Sequence, residues 1–261
     1  MKTLVCLLGQ VRFPELTWEP WKKWVLDPLE ADLALCGIID DVDNPFSKFA
    51  KYVFRPGTKG TYDMSLFDNL GILNYGSARP LSVSKMAWCF RDDLWSYLYE
   101  KGLHNEYDMF IISRSDILWN GPHPILDENH IWCVNGEFQL GLNDRHMVIP
   151  RRFLEQALRI FAIENPQLTF GIIRQKFIEG HAKGYAHCLM SLEPYIYCRF
   201  IERGLIQNVG LCPFPMYLTD EKGEARFKDE LEADTATLTW PFTIIHNHLS
   251  DKNGTFIGRA I

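Results

Sequence analysis

The sequence has no excess of positive charge. Its 27 Lys and Arg residues are outnumbered by 33 Asp and Glu residues, and the formal net charge at pH 7 is -6. A global field of this sign does not attract nucleic acid or an anionic membrane surface. We therefore expect no nucleic-acid partner, and a polyanionic ligand would have to be met by a local basic patch.

Paired cysteine motifs and long apolar runs are also missing. The seven cysteines are odd in number, dispersed and nowhere spaced as CxxC, which is typical of reduced thiols in a core. The apolar start of the chain stops at Gly9 and Gln10, too soon for a signal peptide or a membrane span. These absences predict a soluble, cytoplasmic protein without a transmembrane segment, and they leave its oligomeric state open.

Strand and helix patterns alternate along the chain, and no repeat or low-complexity tract interrupts them. Apolar runs predict strands at Thr3 to Leu8, Ala31 to Ile39, Met109 to Ile112, His130 to Val134 and Thr243 to Ile245. Helical spacing of apolar residues predicts helices at Leu16 to Leu26, Ser82 to Gly102, Arg151 to Glu164 and Leu192 to Gly204. Strands separated by helices predict an α/β protein with a Rossmann-like, mostly parallel sheet.

The most informative stretch is YDMFIISRSDILW at residues 107–119. Its apolar run stops abruptly at Arg114, Ser115 and Asp116. A buried strand that ends on a charged triplet delivers polar groups to one edge of the sheet, which is where open α/β sheets bind ligands. We therefore predict a ligand site at this triplet.

The order of these parts resembles a compact, single-domain GT-A glycosyltransferase of viral or bacterial type. The first strand opens into the loop LGQVR at 8–12, which resembles a nucleotide loop, and SRSD at 113–116 stands where such enzymes carry a DxD-type motif. The segment GLNDR at 141–145 resembles an acceptor-side loop. His246 or His248 stands where a late histidine often completes the metal site.

The resemblance implies a single GT-A domain over 1–261, with a mixed, mostly parallel central sheet flanked by helices. Residues 1–120 would form the nucleotide-sugar half and residues 121–261 the acceptor half. The implied activity is transfer of a sugar from a nucleoside diphosphate sugar, first of all UDP-linked, to a carbohydrate acceptor hydroxyl in glycan biosynthesis. The donor-binding candidates are Gly9, Gln10, Arg12, Asp40, Arg79, Arg114, Ser115 and Asp116.

Each donor candidate has a chemical reason. The glycine allows close approach of the backbone to a ligand, Gln10 can pair with a base or ribose edge, and the forked donors of Arg12 suit a diphosphate. Asp40 opens an acidic turn after the second predicted strand, where a ribose or base contact is favoured over a metal even though the next three residues read DVD. Arg79, just before a predicted helix, is a second candidate for a phosphate or ribose contact.

The implied cofactor is a divalent cation, Mn²⁺ or Mg²⁺, which would bridge the two phosphates of the leaving group. Asp116 can supply an oxygen ligand, together with His246 or His248. Those two histidines alternate along a predicted strand, so only one of them can reach the metal. Arg114 stands where a DxD has its first carboxylate, and a guanidinium cannot bind a metal. Three interpretations stay open. Asp116 binds a metal with a histidine and waters, Arg114 neutralises phosphate, or Arg114 and Asp116 form a structural ion pair.

Two carboxylates are candidates for the catalytic base that deprotonates an acceptor hydroxyl. Asp144 is favoured because it lies in the glycine-led loop at 141–145. Glu193 precedes a proline at the start of a predicted helix, where an acidic residue already complements the helix dipole.

Two other classes of protein compete with the glycosyltransferase. A metal-dependent phosphohydrolase could use Asp116, Asp144 and the late histidines, although the chain lacks dense clusters of carboxylates and histidines. A non-catalytic sugar-binding or nucleotide-binding protein could use some of the eight tryptophans, although most of them fall at core spacings.

Overall fold

A seven-stranded sheet forms the centre of the protein. The computed structural model describes residues 1–37, 43–55, 83–135, 142–160, 192–225, 249–250 and 256–257. The sheet contains β1 (Thr3–Leu8), β2 (Asp32–Cys36), β3 (Tyr52–Phe54), β4 (Met109–Ser113), β6 (Ile131–Val134), β7 (His146–Pro150) and β8 (Val209–Cys212). A separate antiparallel pair is formed by β5 (Ile117–Trp119) and β9 (Met216–Leu218), and another by β10 (Leu249–Ser250) and β11 (Phe256–Ile257).

The strands follow the order β3-β2-β1-β4-β7-β6-β8. β1 pairs in parallel with β2 and β4, β2 pairs in parallel with β3, and β6 pairs in parallel with β8. β7 is antiparallel to both of its neighbours, β4 and β6. The sheet is therefore mixed and mostly parallel, which confirms the predicted α/β class with a Rossmann-like sheet.

Helices lie along the chain between these strands. They are α1 (Pro14–Trp21), α2 (Pro45–Phe49), α3 (Val83–Glu100), α4 (Leu103–Glu106), α5 (Leu154–Leu158) and α6 (Leu192–Glu202). α1 continues into a wider π-type turn at Lys22–Leu26, and short 3₁₀ turns occupy Arg151–Phe153 and Ile206–Asn208. In the ranges that the structure describes, none of these helices combines the length and the apolar character needed to cross a membrane.

Both faces of the sheet are buried. Successive side chains of a strand point to opposite sides, so each central strand contributes to the core on both faces. One face of β1 and β4 packs with the middle of α3, through Leu4, Cys6, Phe90, Leu94, Leu98, Phe110 and Ile112. The other face packs with α1 and the turn after it, through Val5, Leu7, Trp21, Val25 and Ile111. The apolar runs of the sequence thus become central strands covered on both sides.

Several predicted elements agree with the structure and others do not. β1 has the predicted bounds, and α3 is followed by Gly102 in a left-handed conformation with φ 72°. The helix predicted at 151–164 is regular only at Leu154–Leu158, and residues 161–164 lie outside the described ranges, as does the strand predicted at 243–245. The sequence did not predict β7, because its apolar centre is only three residues long and lies between a histidine and a proline.

The direction of the strands determines which loops meet. The carboxyl ends of parallel strands share one edge of a sheet, so the ends of β1, β2 and β4 lie side by side. Antiparallel β7 brings its amino end to the same edge, with Ser113 opposite His146. We call this side of the sheet the carboxyl edge.

Candidate functional site

The loop after β1 begins with a close contact between two glycines. Gly9 has φ 92°, a left-handed conformation that favours glycine, and its N–H donates to the carbonyl of Cys36 at 2.9 Å. A Cβ at Gly37 would lie 2.1 Å from the carbonyl oxygen of Gly9. The two strand ends can therefore pack this closely only with glycine at position 37, a requirement that the sequence analysis did not identify.

Ser115 joins the loop after β1 to the loop after β4. Its hydroxyl oxygen accepts from the backbone N–H of Arg12 at 2.9 Å and donates to the carbonyl of Gln10 at 3.3 Å. Ser115 is buried, whereas Gln10 is exposed. The predicted nucleotide loop and the predicted strand-end triplet are therefore direct neighbours, linked by one buried hydroxyl group.

Asp116 is a buried carboxylate that accepts two hydrogen bonds from one guanidinium. Arg114 donates from Nε to Oδ1 at 2.8 Å and from Nη2 to Oδ2 at 2.6 Å. Arg12 Nη1 lies 3.8 Å from Asp116 Oδ2. The side chain of Asp116 is 2% exposed, whereas those of Arg12 and Arg114 are each 36% exposed. The site thus presents guanidinium groups to solvent and keeps the carboxylate beneath them.

Asp144 lies on the same edge, just before β7. The buried Arg91 of α3 donates from Nη2 to the Asp144 carbonyl at 3.0 Å. Burial raises the pKa of the Asp144 carboxyl above its ordinary value, while the nearby charges of Arg91 and Arg114 act in the opposite direction. A carboxyl group whose pKa is shifted toward neutral pH is better matched to proton transfer than an ordinary one.

A chain of buried polar side chains lies at the carboxyl end of β4 and the amino end of β7. His146 Nδ1 lies 3.0 Å from the hydroxyl oxygen of Ser113, and its Nε2 lies 3.2 Å from His123 Nε2. His123 Nδ1 lies 2.7 Å from the carbonyl of Pro124. A carbonyl only accepts, so we assign the His123 proton to Nδ1, which makes His146 the donor between the rings and leaves its Nδ1 as an acceptor. The single Ser113 hydroxyl proton is then shared between His146 Nδ1 and the Arg145 carbonyl, which lies 3.2 Å from the Ser113 oxygen.

Both histidines are uncharged in the folded protein. Burial lowers the pKa of His123 to about 4, and burial together with the neighbouring His123 lowers the pKa of His146 well below its ordinary value. The rings of Trp119 and Phe214 pack around both histidines. Sequence reasoning missed this network, since nothing in the local pattern links a histidine beside a Gly-Pro turn to one at a strand start.

The structure brings most of the predicted site residues together. The neighbours at the carboxyl edge are Gly9, Gln10, Arg12, Arg114, Ser115, Asp116 and Asp144. Asp40, Arg79, His246 and His248 lie outside the described residues. Glu193 is the second residue of α6, and its side chain lies outside the described part of the structure.

Of the three predicted metal ligands, Asp116 lies within the described residues. Among them, no group of three or more His, Cys, Asp or Glu side chains is placed to hold a metal ion. Mn²⁺ and Mg²⁺ require several hard oxygen ligands, and both oxygens of Asp116 accept from Arg114. A metal bound by Asp116 with His246 or His248 therefore stays a prediction.

No protein-family model matches this chain, and no curated protein matches its sequence significantly. The fold and the geometry at the carboxyl edge therefore define the class of protein on their own. That class is an α/β protein with a polar, arginine-bearing site at the ends of its parallel strands.

Proposed function

We propose that the protein is a GT-A type glycosyltransferase that moves a sugar from a nucleoside diphosphate sugar to a carbohydrate hydroxyl. The observation that carries this proposal is the link through Ser115 between the loop at 8–12, after β1, and the charged triplet after β4. Ligands of open α/β sheets bind outside the carboxyl ends of the strands. Both predicted donor-binding segments meet at that edge.

The donor half of the site has the chemistry that a diphosphate needs. Arg12 and Arg114 lie within reach of the same carboxylate, so their guanidinium groups are close to each other. Guanidinium groups bind phosphate through paired, charge-assisted hydrogen bonds. The Gly9 backbone lets a nucleotide approach the end of β1 closely. UDP-linked sugars are the first donors to test.

The acceptor half of the site has a candidate base. In an inverting transfer, the acceptor oxygen bonds to the anomeric carbon, the bond from that carbon to the diphosphate oxygen breaks, and the acceptor proton moves to a carboxylate. Asp144 suits that role because its pKa is raised and because it lies near Arg114, beside the proposed diphosphate site. Glu193 stays the alternative base.

The competing classes of protein have weaker support. A two-metal phosphohydrolase needs a cluster of ligands that the described residues do not contain. A sugar-binding protein needs exposed aromatic faces, and of the described tryptophans Trp21, Trp119 and Trp132 are buried, while Trp18, Trp24 and Trp95 are partly exposed.

Isothermal titration calorimetry with UDP, GDP and their common sugar conjugates tests the proposal, with and without Mn²⁺. We expect one nucleotide series to bind, and product NMR with a glycan acceptor panel to detect sugar transfer. Phosphate release from simple monoesters would favour the hydrolase instead. Absence of binding for every nucleotide, in both buffers, would contradict the proposed function.

A further inference from the structure

Resting on the proposed function, we infer that the donor diphosphate is neutralised by the guanidinium groups of Arg12 and Arg114, held in place by Asp116, and not by a divalent cation. At position 114 this chain departs from a DxD pattern. Arg114 stands in place of the first carboxylate and binds the remaining one.

The exposure of these side chains distinguishes a cation from a diphosphate as the ligand of this site. A cation arriving from solvent would have to displace Arg114 from both oxygens of an acid whose side chain is 2% exposed. A diphosphate arriving from solvent meets Arg12 and Arg114 first, since over a third of each side chain is exposed. The positively charged groups lie nearer to solvent than the carboxylate, and this arrangement suits an anionic ligand.

Asp116 then has a positioning role. A carboxylate that accepts two parallel hydrogen bonds fixes the plane of the guanidinium, and a guanidinium has five donors with which it can serve two anions. The backbone of Asp116 is itself fixed, because its carbonyl accepts from the N–H of Thr219 at 3.0 Å. The Arg12 backbone is fixed by Ser115 in the same way. The Arg114 guanidinium and the Arg12 backbone are thus organised before a ligand binds, which reduces the entropy lost on binding.

The described charged groups at this edge include three arginines and two acids. They are Arg12, Arg91, Arg114, Asp116 and Asp144. When the donor bond breaks, its electron pair moves to the diphosphate oxygen, and hydrogen bonds from Arg12 and Arg114 stabilise that charge. The proton released by the acceptor goes to the base, so no further reactant is needed.

Calorimetric titration with UDP and with GDP, in EDTA and in Mn²⁺, tests this inference on the full chain. We expect the wild-type protein to bind its nucleotide with the same affinity in both buffers. Loss of a charged hydrogen bond in Arg114→Gln should weaken binding about tenfold to hundredfold in both. Arg114→Lys keeps the charge without the planar fork, so its affinity should lie between those of the wild type and Arg114→Gln.

Arg151→Gln is the matched control. Arg151 is also an exposed arginine paired with an aspartate, Asp108, but it lies at the other end of the strands. Its removal should leave nucleotide affinity unchanged, and melting curves should show that all variants fold.

The outcomes separate this inference from the proposed function. Binding that requires Mn²⁺, and that loses its response to Mn²⁺ in Asp116→Asn, would overturn the inference and leave the glycosyltransferase in place. Unchanged affinity of folded Arg114→Gln in EDTA would also overturn the inference alone. Binding of neither nucleotide in either buffer would overturn both.

Discussion

The aspartates at the two ends of the parallel strands differ in their exposure to solvent. At the amino edge, Asp32 accepts from the hydroxyl of Tyr107 at 2.5 Å and from Lys51 Nζ at 2.7 Å. Its side chain is 30% exposed. At the carboxyl edge, Asp116 pairs with Arg114 at 2% exposure. One edge keeps its ion pairs in contact with water, and the other buries the acid beneath its partner.

The pKa shifts follow the same division. Burial alone would raise the pKa of Asp32, but hydrogen bonds from Lys51 and Tyr107 outweigh it and hold that pKa below its ordinary value. At the carboxyl edge, burial dominates and the pKa of Asp144 is raised. Burying a charged pair is often no better for stability than an apolar contact. The amino edge therefore links strands through partly exposed ion pairs, and the carboxyl edge holds the perturbed carboxyl group that the proposed function uses.

Replacing the acids at each edge should give the largest contrast. Loss of a general base typically slows a reaction by about 10² to 10⁴. We expect Asp144→Asn to slow sugar transfer by such a factor with donor affinity nearly unchanged, and Asp32→Asn to leave the rate unchanged. Initial rates and calorimetry measure both. Transfer by Asp144→Asn at the wild-type rate, or loss of transfer in Glu193→Gln alone, would move the role to Glu193.

The pH dependence of the rate extends this contrast. The base form of Asp144 is needed, and its pKa is raised, so the rate should rise with pH through a midpoint above the ordinary aspartate pKa. A midpoint at or below the ordinary aspartate value in a pH profile of kcat/KM would contradict the assignment.

Acid should act on the buried histidine pair at the carboxyl edge before it acts on Asp32 at the amino edge. Below about pH 6.5 the unfolded chain binds more protons at His123 and His146 than the folded protein does, so the free energy of unfolding falls as pH decreases toward 4, by up to about 1.4 kcal/mol per pH unit for each histidine. The lowered pKa of Asp32 acts only below its unfolded value of about 4, because its stabilising effect is lost as pH falls through the folded pKa.

Urea unfolding at a series of pH values measures this dependence. We expect His123→Gln to have a shallower slope of unfolding free energy between pH 6.5 and 4, the window in which the buried histidines titrate. An unchanged slope in a folded variant would show that the buried histidine pair does not govern acid stability.

The glycine contact should tolerate no added atom. A Cβ at Gly37 would overlap the carbonyl of Gly9, and such overpacking typically costs about 1–3 kcal/mol. Gly37→Ala should therefore lower both the melting temperature and the nucleotide affinity. Gly102→Ala is the control, because the φ of 72° at Gly102 makes alanine unfavourable there although the Cβ position has open space, so this variant loses stability without a clash at the glycine contact. If the two variants had the same nucleotide affinity, the glycine contact would have no part in the site.

The smallest effect is expected at the amino edge. Lys51→Ala removes an exposed partner of Asp32, and exposed ion pairs contribute little to stability. The melting temperature should fall less than in Gly37→Ala, and nucleotide affinity should not change. A loss of nucleotide affinity would show that the two edges are not independent.

Local sequence patterns predicted β1, β2 and β4, and the strand end at which the candidate site residues lie. An apolar run that stops at Arg114 needs no tertiary information to be placed at a strand end, and parallel strands then bring that end to Gly9. The rest depends on contacts between distant segments. Arg91 reaches Asp144 across 53 positions, and His123 reaches His146 across 23, through a strand that the sequence did not predict. The demand for glycine at position 37 likewise arises only when β1 and β2 pair.

Crystals soaked or grown with the nucleotide that calorimetry selects test the central claim most directly. We predict that its diphosphate lies within hydrogen-bonding distance of Arg114, with the nucleoside against the Gly9 loop at the carboxyl edge. A nucleotide bound elsewhere, for example beside Asp32 and Tyr107 at the amino edge, with its diphosphate out of contact with Arg114, would contradict the account.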